Sequence, residues 1–521
     1  MAGRAGIVGA GTLASRFLGL ARDMAMAAVF PVAATDAFWV AFTIPNALRQ
    51  LLAEGAVTAA VVPVLAEARA EGGDDEARAF FARVRGLSLV ALLVVTAVGM
   101  LAAPWLVELY AHGFAARAGQ MERTVVLARW VFPYIFFMGT AALGMAALTT
   151  YGRFAVAAFA PGLLNVAFLV ACFGLPAWLS ARGHDPALAL AIGALAGGAL
   201  QVAAQLPALR RIGFFGMPRF DLGDPRVRKV ITRIGPMTLG LGIYTIDLVV
   251  CRRFLADLGD GPQSYFSWAQ RLCDFPQGIF VMALQTAALP RLAALVSEGK
   301  RAEVGATFAF SMRLSLFVGI AVSALFAALA EPIVVALFQR GQFDAVSAQQ
   351  TARALVAQGL GIAPVAAVRA LVPVFFALGD TRTPVLVSAI DLLALVGLAF
   401  GLVGPFGHVG VSAAVAGSSL VQMVLLWVLL AKRLPTLEGA SIAKSALRTL
   451  AAAAGAAGLA AWSAREVAGT VGSGAIARLV PALVGGAVFA TVFVFVSAIL
   501  KSDELDVLAG GLARKLGRRR A

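Results

Sequence analysis

Charged side chains recur inside stretches that are otherwise apolar enough to lie in lipid. The first two such stretches hold Arg16, Arg22, Asp23, Asp36, Arg49 and Glu54, and a later one holds Arg271 and Asp274. An arginine near the centre of a bilayer costs roughly 2.5 kcal/mol or more, so it normally faces a polar cavity or a partner rather than hydrocarbon. Arginine stays charged, and its planar fork donates paired hydrogen bonds to phosphate oxygens. Several converging arginines match a diphosphate better than a single carboxylate. The chemistry within reach is therefore the binding of an anion that arrives through the membrane.

Spacing refines this reading. Arg16 and Asp23 fall two helical turns apart and share a face, while Arg16 and Arg22 point about 120° apart. Both arginines can still border one wide cavity, with Gly19 between them allowing close packing or a bend. Arg271 and Asp274 stand at i and i+3, where they can pair. The competing structural reading for each arginine is a salt bridge or a side chain snorkelling to the interface. Asp247 and Asp391 are lone carboxylates in apolar stretches, and Asp247 is the candidate for ion coupling. Arg129, Arg313, Arg353 and Arg369 are scattered and read as structural. His112, His184 and His408 fall in expected external loops. No hydrolytic triad, Walker loop or metal-ligand spacing occurs. Catalysis and a resident cofactor are not expected, and the membrane potential or a monovalent cation is a candidate driving force.

The elements that must position these residues are membrane helices. The 521 residues are 60% hydrophobic and 14% charged, with a mean hydropathy of +0.87; soluble domains are nearer one-quarter charged. A window of ~19 residues marks fourteen spans, near 6–30, 36–65, 82–107, 123–149, 155–180, 187–209, 230–256, 263–295, 305–329, 347–377, 384–404, 409–431, 443–464 and 476–500. The net charge of +15 lies mostly in alternate connections, such as 66–85 and 210–229, and in the tail 501–521. That is the pattern of the positive-inside rule, not of a nucleic-acid binder, and it places both termini in the cytoplasm. Cys172, Cys251 and Cys273 lie in or beside apolar stretches and imply no disulfide framework.

The chain also repeats itself. Phe38–Gly72 aligns without gaps on Tyr265–Gly299, matching Ala60 with Ala287, Pro63 with Pro290, and Glu71-Gly72 with Glu298-Gly299. The same offset, within one residue, pairs Pro104 with Pro332, Gly113 with Gly341 and Gly152 with Gly379. The copies are an even number of spans apart and so share orientation, the parallel-repeat plan of many transporters. Arg49 falls opposite Pro276 and Glu54 opposite Val281. The fold does without those charges in the second copy, so a task explains them better than folding does.

At these residues the sequence resembles the MurJ (MviN) family of lipid II flippases, in the multidrug/oligosaccharidyl-lipid/polysaccharide (MOP) exporter superfamily. The motifs are SRFLGLARD at Ser15–Asp23, TDAF at Thr35–Phe38, the run Pro45–Pro63 with PNALRQLLAEGA, RLCDFPQGIF at Arg271–Phe280 and ALGDTRTP at Ala377–Pro384. The resemblance implies an all-α polytopic membrane protein with fourteen transmembrane helices. Two six-helix lobes (1–212 and 226–433) would form a V, and helices 13 and 14 (443–500) would make a groove for a lipid tail, followed by a basic cytoplasmic tail. It implies substrate-binding roles for Arg16, Arg22, Arg49 and Arg271, and cavity or gating support from Ser15, Asp23, Asp36, Asn46, Glu54 and Asp274. The implied activity is not enzymatic. It is the flipping of undecaprenyl-diphosphate-linked disaccharide-pentapeptide (lipid II) to the periplasmic leaflet of the bacterial inner membrane, for peptidoglycan synthesis. Implied partners are lipid II, membrane lipids and cell-wall synthesis proteins. Related functions are an exporter of another polyprenyl-linked glycan, a cation-coupled antiporter and a non-transporting cell-wall scaffold. Gln50 stands where relatives often carry a second basic residue and Asp274 where a Glu is common. Some relatives bind sodium between helices 7, 11 and 12; Asp247 fits the first part of that pattern, but the eleventh span lacks the Asn and Asp expected further along.

Overall fold

The computed structural model describes residues 2–49, 57–278, 291–434, 437–472 and 474–508. Every regular element among them is helical. Glu54, Gln50 and the second half of the repeat segment at 279–290 lie outside the described residues. Seven helices among those described are long and apolar enough to cross a membrane by length and composition.

The chain divides into two compact units, residues 1–264 with 340–343, and residues 265–339 with 344–521. The first unit contains α1 (Ala2–Val29), α2 (Val32–Arg49), α3 (Val57–Ala111), α4 (Gln120–Val131), α5 (Tyr134–Thr150), α6 (Phe154–Gly174), α7 (Pro176–Ser180), α8 (Leu188–Arg211) and α9 (Pro225–Ala256). The helix α10 (Pro262–Pro276) begins at the boundary between the units. The second unit contains α11 (Arg301–Phe338), α12 (Ala345–Gly359), α13 (Ile362–Ala377), α14 (Arg382–Ala431), α15 (Gly439–Thr470) and α16 (Ala475–Ile499).

Glycine sets where several helices bend. The long α3 breaks at Gly73, whose φ of 71° a residue with a Cβ rarely adopts. The stretch 66–85, read as a connection from its charges, is thus helical on both sides of a break. α14 breaks likewise at Gly407. Beside that break His408 is buried, with Nε2 3.0 Å from the Gln350 carbonyl and its ring 5.5 Å from that of Tyr265. The sequence placed His408 in an external loop; the apolar residues on both sides of Gly407 carry it into the helix packing instead.

In the first unit, α2 is the inner helix. Its residues from Ala34 to Pro45 are buried, and Phe38 and Phe42 pack against Phe168 of α6 and Tyr134 of α5. A second core joins α3, α5 and α8 with the start of α9, through Phe80, Phe81, Leu143, Leu148, Leu209, Phe214, Val227 and Val230. α9 starts on an Asp-Pro pair. Asp224 caps it by accepting from the Arg226 amide at 2.7 Å, and Pro225 fills the position where a missing N–H costs nothing. Ion pairs then tie α9 to α3: Lys229 to Glu67 at 2.6 Å, Arg226 to Glu71 at 2.8 Å and to Glu76 at 2.5 Å, and Arg83 to Asp224 at 2.7 Å.

In the second unit, Leu292, Val304, Phe308, Leu371, Phe375, Leu426 and Leu430 form one core. Phe317, Leu329, the small residues Ala452, Ala453, Ala456, Ala460 and Ala464, and Phe489 and Phe493 form another. Small residues on α15 let its backbone approach α11 and α16 closely, the packing mode expected of helices in lipid.

The repeat is visible in the elements. α4 and α5 correspond to α12 and α13, and the turns that end α5 and α13 both use a left-handed glycine, Gly152 (φ 71°) and Gly379 (φ 77°). Gly113 and Gly341 also play equivalent parts. A Cβ on Gly113 would lie 2.6 Å from the carbonyl oxygen of Ala256, at the end of α9. A Cβ on Gly341 would lie 2.0 Å from that of Ala28, at the end of α1. The Gln342 amide donates to the same Ala28 oxygen at 2.9 Å.

Candidate anion-binding site

Three of the four sequence-predicted arginines lie in the first unit and Arg271 in the second. Arg16 and Arg22 sit on α1, and α6 fixes that stretch. Asn165 of α6 donates from Nδ2 to the Ser15 carbonyl at 3.0 Å and accepts from Arg22 Nη1 at 3.1 Å. Gly19 leaves room for it, since a Cβ there would lie 3.7 Å from the Asn165 amide nitrogen.

Arg22 is buried, at 7% exposure, and so is Asp23 at 0%. Arg22 Nε and Nη2 both donate to Asp23 Oδ1, at 2.9 and 2.7 Å. Its guanidinium also lies 5.3 Å from the centre of the Phe168 ring. The pair is thus held from three sides. Arg16 differs: it is partly exposed and makes no hydrogen bond or ion pair among the described residues. Arg49, at the end of α2, is partly exposed and donates from Nε to Asn46 Oδ1 at 3.0 Å. Arg271 and Asp274 are exposed on α10. Asp247 is half-buried on α9.

Asp36 is fully buried, and its surroundings explain it. Its Oδ2 accepts from the Gly261 amide and its Oδ1 from the Ser264 amide, at 2.7 and 2.8 Å. Both donors are free backbone N–H groups at the start of α10, so Asp36 caps a helix that begins far along the chain. Thr35 Oγ1 and Ser264 Oγ lie 2.7 Å apart beside it. The sequence showed the carboxylate but not this role, because the donors carry no local signal.

Arg252, not among the residues singled out from the sequence, is a further charged residue of the first unit. It is buried at 5% exposure and bonds from Nε to Thr43 Oγ1 at 3.2 Å and from Nη1 to Gln263 Oε1 at 3.0 Å. Gln263 Nε2 returns a bond to the Arg252 carbonyl at 2.8 Å. Among the described residues no cluster of three or more His, Cys, Asp or Glu side chains could hold a metal ion. The three cysteines are free and buried.

What this arrangement offers is cationic side chains on membrane helices, some already paired and at least one without a partner among the described residues. Comparison with solved structures fixes the fold. The fold matches a structure titled lipid II flippase MurJ in an inward closed conformation, with TM-score 0.75, 20% identity, and 95% of this chain and 99% of that one covered. It also matches an inward-facing multidrug resistance MATE family transporter of the MOP superfamily, with TM-score 0.69, 16% identity and coverages of 82% and 96%. The fold is therefore the all-helical, multi-pass fold of these two structures.

The family follows from sequence. A family model described as lipid II flippase MurJ matches residues 26–480. The lipid II flippase MurJ of Burkholderia cenocepacia is 33% identical over 81% of this chain and 82% of its own length. The probable lipid II flippase MurJ of Vibrio cholerae is 33% identical over 81% of each. This chain belongs to the MurJ family of lipid II flippases, a family of transporters rather than enzymes.

Proposed function

We propose that this protein carries lipid II from the cytoplasmic to the periplasmic leaflet of the bacterial inner membrane by alternating access. The observation that carries this reading is the family match over residues 26–480. The diphosphate is engaged by Arg16, Arg22, Arg49 and Arg271, while the polyprenyl tail stays in lipid beside α15 and α16. Arg16 supports the reading most directly, since it has no partner among the described residues. Arg22 is already held by Asp23 and Asn165 through all three guanidinium nitrogens, so it meets an anion by exchanging one of those bonds. Fourteen spans with both termini in the cytoplasm, and six-helix lobes at 1–212 and 226–433, complete the scheme. The membrane potential biases the return of the cationic site, at about 2.3 kcal/mol per charge per 100 mV; coupling through Asp247 is the secondary route.

Native mass spectrometry of the purified protein with lipid II and competing membrane lipids tests the substrate. Preferential retention of lipid II is expected, and equal retention of a lipid lacking the diphosphate would sink the assignment. In cells depleted of their own flippase, Arg16→Ala and Arg271→Ala at normal protein level should fail to complement.

A further inference from the structure

A cleft in the first unit lies apart from the predicted site residues. It opens between α3, α5 and α8. Its walls are apolar, with Phe81, Leu89, Leu92, Leu143, Val202 and Leu206 among the lining residues, and Arg85 and Gln205 are the groups with strong polar character. Neither Arg16, Arg22 nor Arg49 lines it.

Gln205 is 1% exposed, yet neither its Oε1 nor its Nε2 has a hydrogen-bond partner among the described residues. A buried amide left without partners costs roughly 1–3 kcal/mol, so it is an improbable filler for an apolar wall. Gly144 makes room for it, because a Cβ there would lie 2.3 Å from Gln205 Oε1. Arg85 is half-buried near the cleft's rim. Its Nη1 reaches the Phe214 and Gly216 carbonyls at 3.5 and 3.3 Å. Both Arg85 and Arg210 stack near Phe215, at 5.5 and 4.4 Å from the ring centre. The cleft thus has a cationic rim, a buried amide and apolar walls. Further along α3, Val90, Leu93, Val94 and Val98 are exposed and apolar, as a lipid-facing surface should be.

We propose that this cleft binds one anionic glycerophospholipid of the surrounding leaflet. The phosphate sits on Arg85, the glycerol-ester region bonds to the Gln205 amide, and the acyl chains run out along the exposed face of α3. The amide suits an ester carbonyl through Nε2 and a hydroxyl through Oε1. Arg85 belongs to the basic end of the unit, with Arg210, Arg211 and Arg219, which the positive-inside rule assigns to the cytoplasmic leaflet. The bound lipid is part of the protein's solvent and not its cargo.

The test uses the full chain purified with phosphatidylglycerol or phosphatidylcholine. Wild type should retain phosphatidylglycerol in native mass spectra and gain thermal stability from it, with little effect of phosphatidylcholine. Arg85→Gln and Gln205→Leu should each lower retention about tenfold, the loss of one charge-assisted or buried hydrogen-bonded contact. Arg85→Lys should keep the preference, because it keeps the charge. A photoreactive phosphatidylglycerol on the wild-type protein should label residues 81–92 and 202–215, which needs no variant to fold. Labelling elsewhere only, equal effects of the two lipids, or retention by both Arg85→Gln and Gln205→Leu within twofold of wild type would overturn the proposal. So would a Gln205→Leu protein that is stabilised equally in both lipids and still retains phosphatidylglycerol, since the amide would then serve no lipid.

Discussion

Arg16 and Arg22 are near neighbours on one helix, yet the structure gives them different circumstances. Arg22 and Asp23 form a buried pair, and removing one partner of such a pair leaves an uncompensated charge at a cost of about 3–5 kcal/mol. Arg22→Ala and Asp23→Ala should therefore lower the melting temperature and the membrane protein level. Arg16→Ala should melt like wild type and lose transport, and a large fall in its stability would show that Arg16 supports the fold instead. Asp36→Ala removes two capping bonds from α10 and should cost about 1–2 kcal/mol. Hydrogen exchange should quicken in residues 262–276 first, and no change there would argue against the capping role. The charges themselves were legible in the sequence, because a charged residue in an apolar span is conspicuous whatever surrounds it. Their partners were not. Asn165, Gly261 and Ser264 are ordinary residues at distant positions, and only the packing of α6 and α10 gives them these tasks.

Helix ends and breaks are governed by a few residues whose roles can be separated by substitution. Gly379 has positive φ but open space around it, whereas Gly341 has both positive φ and the Ala28 carbonyl in the way. Gly379→Ala should cost about 1–2 kcal/mol from backbone conformation alone. Gly341→Ala should cost about 3 kcal/mol or more, because the neighbouring backbone must move as well. Equal melting temperatures for the two variants would refute the close approach. The turn after Gly379 carries a pH-sensitive clamp. Asp380 accepts from Thr383 Oγ1 at 2.6 Å, from the Thr383 and Arg382 amides at 3.0 Å each, and from Arg433 at the far end of α14. The Thr383 bonds, with Arg433 assisting, hold its carboxyl at about 2, below the ordinary 3.8. A depressed carboxylate adds stability that is full above its unfolded pKa and lost as pH falls through the folded value. The start of α14 should thus loosen between about pH 4 and pH 2 in wild type, and Asp380→Asn should remove that part of the pH dependence. The sequence motif around Asp380 was visible, but its purpose was not, because Arg433 meets it only after α14 has run its full length and returned.

Across the whole chain, the duplication was readable and the packing it leads to was not. A constant offset exposes two copies, because glycines and prolines at turns resist replacement. Yet α9, which opens the second copy, packs with the first unit through α3 and its ion pairs. No local pattern announces that, since the partner charges at Glu67, Glu71 and Glu76 look like ordinary surface residues. The last two helices lie outside the repeat, and charge also secures them. Arg313 of α11 lies 3.5 Å from Glu504, reaches Ser441 at 3.2 Å, and Glu504 accepts from Ser445 and Ser502 at 2.9 Å each. The sequence reading left Arg313 among the scattered arginines. Glu504→Ala should cost about 1–3 kcal/mol, with faster hydrogen exchange confined to residues 439–508, and unchanged exchange there would remove the clamp.

The two glycine seats carry one further consequence. Gly113 of the first copy rests on the last turn of the second copy's opening helix, and Gly341 of the second rests on the last turn of the first copy's. Each half supplies the socket for the other. A chain of half the length could fill both sockets only by pairing with a twin, in the reciprocal manner of a twofold dimer. Fusion of two such genes would make the exchange permanent and free each socket to diverge. Severing the chain in the connection near Met217 and producing both pieces together should then give halves that find each other and are purified as one particle.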